Sequence, residues 1–583
     1  MKTWESAFNA RSDIQVYGDN ALGLFALALR FHLDDINTVA AESITDGNDD
    51  KKCDIVFLNK DDGVAVICQN FFSQKAKASA PANKASDLNT AVTWLLARPV
   101  AGLPERIKSS AEELREAIRE GTIGEIFVWY THNLPESENV KQELLTVEHS
   151  ADAILKREFH GKSVKVKALE VGSGQLEKWY KDTLSPILVN DEFNIQVSDG
   201  YELKGKDWKA YVTTVSARFL YTIYRKYRTR LFSANIRDYL GSRKSDVNIN
   251  HGIKKTAESS PENFWVFNNG LTILVNSYET PVAGKKLVLK VKGLSIVNGA
   301  QTTGAIGSLP KSPKDNAIVP VRFVQTADTD LVYNIIQYNN SQNKITASDF
   351  RSRDNIQKRL REEFQKIPSS EYEGGRRGGF TDVIKRTPQL LPSYTVGQAL
   401  AAMHQDPAIA YNQKTNIWIS DTLYSKYFNE EATAMHIVFA FSLLRAAEAR
   451  KMQLVEKSRK NQDGLTEIEK RELEFFRHRG ATYLLVAAIS SCLEIFIKKP
   501  APNKFRLSFG EKCSPTQAQD YWASIVEVTA PLCEHLEDAF TDGLKNTERI
   551  NKAIRTFQSL VQATSLANSP KYQFFSSKVF GWK

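Results

Sequence analysis

One segment near the N-terminus places an acid and an amide on neighbouring predicted strands. Residues 53–72 read CDIVFLNKDDGVAVICQNFF, which predicts two strands joined by a tight acidic turn. Asp54 enters the first strand, and Gln69 ends the second. Carboxylate and amide oxygens bind divalent cations, and such an ion beside a lysine is suited to phosphodiester hydrolysis. Phe71 stands two residues after Gln69.

The acid on one strand and the amide on the next resemble the site of Mrr-like nucleases of the PD-(D/E)xK type. In those nucleases the second strand carries Gln-x-Lys, and here Phe71 stands at the lysine position. The resemblance implies that Asp54 binds Mg²⁺ or Mn²⁺, with Asp50 and Glu42 as further metal ligands. It also implies that Gln69 orients the site. Lys75 follows the second strand and is expected to replace the missing lysine, because only the location of the ammonium group matters. Without the resemblance, the residues favour the alternative of a plain hairpin.

Three segments in the centre of the chain supply amides, hydroxyls and exposed backbone, which suit binding by hydrogen bonds. Each segment ends a predicted strand or helix, so we expect one site assembled from several loops, for a nucleotide or a nucleic acid. The predicted binding residues are Asn268, Asn269, Asn298, Gly299, Gln301, Thr302, Asn339, Asn340 and Gln342.

The second of these segments, SIVNGAQTTGAIG, predicts a strand that runs through Asn-Gly into a helix start, where exposed N–H groups favour an anion. The first, FWVFNNGLTILV, is also consistent with a hairpin, since Asn-Gly between apolar runs is a strong hairpin signal. Arg351 and Arg353 follow the third segment and are candidates for phosphate contacts, with a solvated helix face as the alternative.

The elements that must position these residues predict an α/β fold followed by helices. Residues 1–180 alternate helices and strands, which predicts an α/β domain with a partly parallel sheet, and the Mrr resemblance implies that this domain is restriction-endonuclease-like. Residues 181–365 predict a central mixed α/β domain, and residues 366–583 a mainly α-helical C-terminal region.

Several individual elements can be predicted as well. A helix over 105–121 should end on Gly121 as its C-cap. In the central domain, residues 211–232 predict a helix, and FWVFNNGLTILV predicts a strand. A further helix is expected over 348–367, capped by Ser348.

Composition limits the classes of function. The 583 residues suffice for two or three domains, and 42% hydrophobic with 25% charged residues is typical of a soluble globular protein. The sequence contains no run of 18 apolar residues, so no membrane span is predicted. The five cysteines form no CxxC pair and the N-terminus lacks a signal-peptide core, which favours the cytoplasm. A net charge of +9 permits a nucleic-acid partner.

The order of six motifs resembles the AIPR family (abortive infection, phage resistance). These motifs are NIRDYLG, FWVFNNGLTIL, SIVNGAQTT, YNNSQNKITASDF, DNIQKRLREEF and YEGGRRGG, which span about residues 230–380. Members of that family also share an Asp-bearing strand followed by a Gln-x-Lys strand at the N-terminus. The resemblance therefore implies a nuclease-like N-terminal fold and a role in antiphage defence.

The central domain bears a fainter resemblance to DGQHR-type proteins of DNA-modification systems and to ParB-like domains. In those proteins a Gly-Gln turn begins a helix and an Asn-Gln segment follows a later helix, positions that 298–301 and 339–342 would occupy. ParB-like folds can bind nucleotides, so this resemblance implies that the centre senses a nucleotide or a nucleic-acid end.

Two hypotheses of function follow. The first is a cytoplasmic abortive-infection effector that cleaves nucleic acid phosphodiesters with a divalent ion, DNA being favoured over RNA. The alternative is a non-catalytic defence protein that binds nucleotide or DNA on a degenerate nuclease scaffold. A third hypothesis, a ParB-like nucleotide hydrolase, lacks support, because the sequence shows no carboxylate clearly placed to activate water. We also expect no membrane partner, and a homodimer is consistent with the helical C-terminal region.

Overall fold

Apolar runs build the first sheet where the sequence predicts strands. In the computed structural model, the sheet consists of β1 (Ile55–Asn59), β2 (Val64–Phe71), β3 (Glu125–His132) and β4 (Lys165–Val171). The strand order is β1-β2-β3-β4, with β1 antiparallel to β2 and the other pairs parallel. The start of β1 and the carboxyl ends of the three parallel strands therefore share one edge of the sheet.

The chain divides into two compact units. The first contains residues 1–175, 346–378 and 382–583, and the second contains residues 176–345 and 379–381. The N-terminal and C-terminal segments of the predicted division thus lie mainly in the same unit. The structure describes residues 3–31, 33, 35–45, 47, 49–60, 63–184, 187, 189–227, 231–232, 253–280, 287–328, 331–332, 334–335, 351, 354–372, 374, 389–460 and 464–581.

Helices cover both faces of the first sheet. The helices of this region are α1 (Trp4–Asn9), α2 (Ser12–Gln15), α3 (Ala21–Phe31), α4 (Ile36–Ser43), α5 (Ala82–Leu96), α6 (Glu105–Glu120) and α7 (Glu138–Glu158), while α8 (Ser173–Leu184) follows β4 and lies mainly in the second unit. Apolar residues of α5, α6 and α7 form one core with alternate residues of the strands, among them Ile67 and Val128. The intervening residues face α3, as the stacked rings of Phe31 and Trp129 show.

The second unit is built on a seven-stranded sheet. Its elements are β5 (Val189–Val197), β6 (Tyr201–Lys204), β7 (Trp208–Ser216), α9 (Ala217–Tyr227), α10 (Phe264–Phe267), β8 (Leu271–Val275), β9 (Ser277–Glu279), β10 (Leu287–Asn298), α11 (Ala300–Gly307) and β11 (Ile318–Thr326). The strand order is β5-β10-β8-β11-β7-β6, and β9 pairs with β10. Only β8 and β11 pair in parallel among the described strands of this sheet.

Two predicted elements of the central region are wrong. Residues 211–216, predicted as the start of a helix, belong to β7, because their run of β-branched residues pairs with β11, and the helix begins only at Ala217. FWVF, predicted as a strand, forms the single helical turn α10, so Asn-Asn-Gly leads from a helix into β8 and closes no hairpin. The helix predicted over 348–367 is described from Asn355, and Ser348 lies outside the described residues.

The C-terminal region is helical, as predicted. Its helices are α12 (Asn355–Phe364), α13 (Ser393–Met403), α14 (Pro407–Asn412), α15 (Asn416–Ile419), α16 (Asp421–Tyr427), α17 (Ala434–Lys460), α18 (Glu467–Arg477), α19 (Ala481–Ser491), α20 (Leu493–Ile497), α21 (Pro515–Thr529), α22 (Thr547–Ala563) and α23 (Ser569–Lys578). Helix α19 is mostly apolar and is buried on every side, from Ala481 to Ser490, within their shared core.

A buried ion-pair cluster joins the N-terminal helices to the C-terminal ones. Arg445 of α17 forms an ion pair with Asp35, which is the N-cap of α4. It forms a second ion pair with Glu448, at 2.6 Å. Thr395 donates to Asp35 at 2.7 Å. Burial opposes ionisation of Asp35, but Arg445 and these hydrogen bonds outweigh it and lower the pKa of Asp35 to about 2. The stability that this carboxylate contributes is therefore present above pH about 4 and is lost as the pH falls towards 2.

We expect Arg445→Ala to lower the free energy of unfolding by about 3–5 kcal/mol, because the substitution leaves two buried carboxylates without their cation. Urea denaturation of the full chain measures the change. Arg459→Ala is the matched control on the same helix, since Arg459 pairs with the exposed Asp19 and should cost less than about 1 kcal/mol. Equal losses in the two variants would contradict the assignment of Arg445.

Candidate functional site

The candidate site lies at the edge of the first sheet where β1 starts and β2 ends. Asp54 directly precedes β1, and its N–H donates to the Cys68 carbonyl at 2.9 Å. The Asp54 carboxylate accepts the N–H of Asn70 at 2.5 Å. This carboxylate is therefore held by the backbone next to Gln69.

The Asn70 side chain is held by Asn20, which lies in the turn directly before α3, and by Cys68. Its Nδ2 donates to Asn20 Oδ1 at 3.1 Å, and its Oδ1 accepts from Cys68 Sγ at 3.3 Å. Gly23 of α3 permits the close approach, since a Cβ atom there would lie 2.3 Å from Asn70 Oδ1. A side chain at position 23 would thus displace the residue whose N–H positions Asp54.

The loop before β1 is backbone-strained. Asp49, Lys51 and Lys52 have φ values of 64°, 56° and 68°, in a left-handed region that costs roughly 1 kcal/mol or more for each non-glycine residue. Asp50, predicted as a metal ligand, accepts the N–H of Gly47 at 3.2 Å and that of Lys52 at 2.8 Å. In this structure Asp50 thus stabilises the loop that delivers Asp54 to the sheet.

Gln69 belongs to a row of polar residues that crosses the parallel strands. Gln69 pairs with Tyr130 of β3, which pairs with Glu170 of β4, so the three side chains share the face covered by α5 and α7. Gln69 is 5% exposed, and among the described residues neither its Oε1 nor the Tyr130 hydroxyl has a hydrogen-bond partner. Each buried unpaired polar atom costs about 1–3 kcal/mol, so two neighbouring ones make this row a candidate ligand site.

Glu170 and Tyr130 of this row differ in their electrostatic surroundings. Both Glu170 oxygens accept the Ser137 N–H at 3.2 Å, and one lies 3.1 Å from His132 Nε2. Glu170 is thus engaged at the start of α7. Burial raises the pKa of the Tyr130 phenol, and the carboxylates of Glu170 and Asp87 raise it further, so the hydroxyl stays protonated and able to donate.

The metal predicted from the sequence can be tested against these donors. No group of three or more His, Cys, Asp or Glu side chains in the described part of the chain is placed to hold a metal ion. Mg²⁺, however, is often bound through one or two carboxylates, with water and substrate phosphate as its other ligands. The Asp54 carboxylate and the unpartnered Gln69 Oε1 are oxygen donors of this kind, and they fit such an ion.

Glu42, the third predicted metal ligand, caps a C-terminal helix. The Gly480 N–H donates to Glu42 Oε2 at 3.2 Å, directly before α19, and Thr482 Oγ1 donates to Oε1 at 3.5 Å. A carboxylate in this position stabilises the helix N-terminus. The structure therefore engages Glu42 with an element other than those that carry Asp54 and Gln69.

Of the three lysines from Phe71 through the first turn of α5, two bear on the missing lysine. The side chain of Lys75, which the sequence predicts as the replacement for the missing lysine, is exposed on the loop after β2. Its carbonyl accepts a hydrogen bond from Ser73 at 2.8 Å. The ammonium group of Lys84, in the first turn of α5, lies 5.5 Å from the centroid of the Phe71 ring.

In the second unit, two of the three amide-rich segments meet at one end of the sheet. Asn268 Nδ2 donates to Thr302 Oγ1 at 3.0 Å, and Asn268 Oδ1 accepts the Gly270 N–H at 3.0 Å. These bonds link the start of β8 to the first turn of α11. Asn269 is exposed beside them.

The turn from β10 into α11 requires glycine. Asn298 ends β10, and Gly299 follows in the left-handed conformation with φ of 92° as the N-cap of α11. A Cβ atom at Gly299 would lie 2.6 Å from Leu271 Cγ. The predicted path of a strand through Asn-Gly into a helix is therefore confirmed, and its N–H groups stand near Asn268 and Thr302.

The remaining predicted binding residues divide between undescribed and engaged positions. Asn339, Asn340, Gln342 and Arg353, together with the side chain of Gln301, lie outside the described residues. Arg351 donates to the Trp418 carbonyl at 3.2 Å, pairs with Asp421 and lies 4.4 Å from the Tyr424 ring centroid. These contacts account for Arg351 without a phosphate.

Fold and site together define a mixed α/β protein with two sheets, a helical C-terminal region and an acid–amide edge on the first sheet. A family model described as "AIPR protein" matches residues 232–564, more than half of the chain. The chain belongs to the AIPR family, which implies a role in abortive-infection phage defence. Comparisons with curated proteins and with solved structures gave no match. Among the described helices, none is long and apolar enough to cross a membrane.

The sequence prediction of the site missed Tyr130, His132, Glu170 and Lys84. The first three end the predicted strands EIFVWYTHN and VKVKALEV. Because the sheet was predicted to be partly parallel, the polar residues at these strand ends carried the missing signal: parallel strands end at one edge. Lys84 had no such signal, since its contact with Phe71 depends on how α5 lies on the sheet.

We expect Gln69→Leu to raise the free energy of unfolding by about 1–2 kcal/mol, because the substitution removes a buried unpaired oxygen. Urea denaturation in the absence of metal measures it. Gln357→Leu is the control, since Gln357 is equally buried but is hydrogen-bonded to both Tyr372 and Tyr424, and its loss should destabilise. Destabilisation by both variants would show that the Gln69 amide is paired in solution.

Proposed function

We propose that this AIPR-family chain is a cytoplasmic metal-dependent nuclease that cleaves nucleic acid phosphodiesters at the edge formed by Asp54 and Gln69. The observation that carries the proposal is the buried, unpartnered Oε1 of Gln69 beside a carboxylate fixed by the Asn70 N–H. A structural hairpin needs neither, because an apolar residue at position 69 would pack without a desolvation penalty.

The residues at this edge have separable roles in the proposed reaction. Asp54 and Gln69 would hold Mg²⁺ or Mn²⁺, and the bound ion supplies a Lewis acid and lowers the pKa of a water molecule. The Asn70 N–H fixes the direction of the Asp54 carboxylate. Tyr130, which stays protonated, presents a hydroxyl donor beside Gln69 that suits a phosphate oxygen.

The partner is proposed from charge and from the family. A net charge of +9 favours a polyanion, and abortive-infection defence requires an action that stops phage replication or the host. DNA is the proposed substrate, with RNA as the other outcome of the test. A homodimer through the helical C-terminal region stays a prediction.

A second candidate function is binding without cleavage, and it rests on the second unit. Asn268, Thr302 and the glycine-capped start of α11 lie together, which places hydrogen-bonding side chains around exposed N–H groups. This arrangement suits a nucleotide or a nucleic-acid backbone. In the nuclease hypothesis the same loops would recognise the trigger or the substrate.

The purified full chain should cleave plasmid or linear DNA with Mg²⁺ or Mn²⁺, and Asp54→Ala should cleave about 100-fold more slowly. Gel electrophoresis of timed reactions measures the rate, with RNA tested in parallel. Asp152→Ala is the control, because Asp152 is a helix carboxylate paired on the surface with Lys156, and its loss should leave the rate unchanged.

Equal cleavage by the wild-type and Asp54→Ala chains would exclude the proposed site. Cleavage by neither would favour the binding function. In that case nucleotide or DNA affinity should fall in Asn298→Ala and Asn268→Ala, and unchanged affinity in both would exclude the amide-rich centre as well.

A further inference from the structure

Phe71 leaves the proposed site without the positive charge that a nuclease of this pattern uses. Phe71 follows Gln69 by two residues, so both side chains lie on the face of β2 that α5 covers. The ring is half-buried against the core formed by α5, α6 and α7. An aromatic ring in this place cannot supply a proton donor or a charge to a phosphate.

Helix α5 brings a lysine to that ring. The Lys84 ammonium group lies 5.5 Å from the Phe71 centroid, a cation–π distance. A lysine at position 71 would extend along the path that the phenyl ring takes, so its ammonium group would lie in the same region. Lys84 thus brings a cation to the Phe71 ring, on the same face of β2 as Gln69.

The electrostatic surroundings leave this cation available. Within the described residues, no carboxylate lies at ion-pair distance from the Lys84 ammonium group. Its cation–π contact in this part of the chain is with the Phe71 ring. Lys52, the cation nearest along the loop before Asp54, is by contrast paired with Asp87 at 3.6 Å. A half-buried ammonium group resting on a ring is a point charge that a phosphate can bind.

The same face of α5 is directed at the polar row. Asp87 lies one turn after Lys84, where residues share a helix face. Helix α5 packs against both β2 and β3. The influence of Asp87 on the Tyr130 phenol agrees with this orientation.

We propose that Lys84 is the catalytic lysine of the site, reaching the scissile phosphate from α5 in place of the lysine that Phe71 displaced. This inference rests on the proposed nuclease function. It replaces Lys75, which the sequence favours, because Lys75 lies on the exposed loop and Lys84 lies on the ring at the lysine position. The Phe71 ring then serves to hold the Lys84 stem and ammonium group.

The test measures plasmid cleavage by the full chain with Mg²⁺ or Mn²⁺. Lys84→Met keeps the aliphatic stem, and we expect it to slow cleavage at least about 100-fold. Lys84→Gln is measured alongside with the same expectation, so that a folding defect in one variant does not decide the result. Lys141→Met, on the exposed surface of α7, is the control and should cleave at the wild-type rate.

Phe71→Lys placed in the Lys84→Met background gives the sharpest readout. We expect this return of an ammonium group to restore the rate at least about tenfold, which a merely structural role of Lys84 would not produce. If both Lys84 variants cleave at the wild-type rate while Asp54→Ala is inactive, the Lys84 assignment is overturned and the nuclease function stands. Loss of cleavage in Lys75→Met, with both Lys84 variants still active, would likewise overturn the Lys84 assignment and leave the nuclease standing. A wild-type chain that cleaves nothing would overturn both proposals.

Discussion

The register of the first sheet is the constraint on which the candidate site depends. Ile55 pairs with Cys68, and Gln69 pairs with Tyr130, so Asp54 and Gln69 stand at one edge because the strands pair in this way. A slip of one residue would exchange Gln69 with Asn70 and turn the amide towards α3. Gly23 fits this register, because it leaves room for the Asn70 side chain, and the left-handed residues 49, 51 and 52 lie in the loop that leads to Asp54.

The C-terminal helices stabilise this hairpin from outside the sheet. Arg479 donates to the Val56 carbonyl in the middle of β1 at 2.7 Å and pairs with Glu113 of α6 at 3.2 Å. One residue further on, the Gly480 N–H donates to Glu42. Residues inside the family match thus contact the N-terminal sheet directly, and burial of these charges makes the contacts costly to break. The part of the AIPR match that follows residue 345, apart from residues 379–381, belongs to the same compact unit as the candidate edge.

Local chemistry made much of the fold predictable. The hairpin turn, the helix that ends on left-handed Gly121, and the strand that enters α11 through Gly299 each depend on residues close in sequence. FWVF and residues 211–216 failed because apolar runs fit either element, and pairing with distant strands decided between them. Glu42 was unpredictable for a related reason, since its partner at Gly480 is 438 residues away.

The central claim is that Asp54 and Gln69 together bind a divalent ion, and Mn²⁺ binding to the full chain tests it directly. Electron paramagnetic resonance of free Mn²⁺ during a titration counts the bound ions. We expect one Mn²⁺ site that is lost in Asp54→Ala, weakened in Gln69→Leu and retained in Asp152→Ala. The same stoichiometry and affinity in all four proteins would contradict the claim.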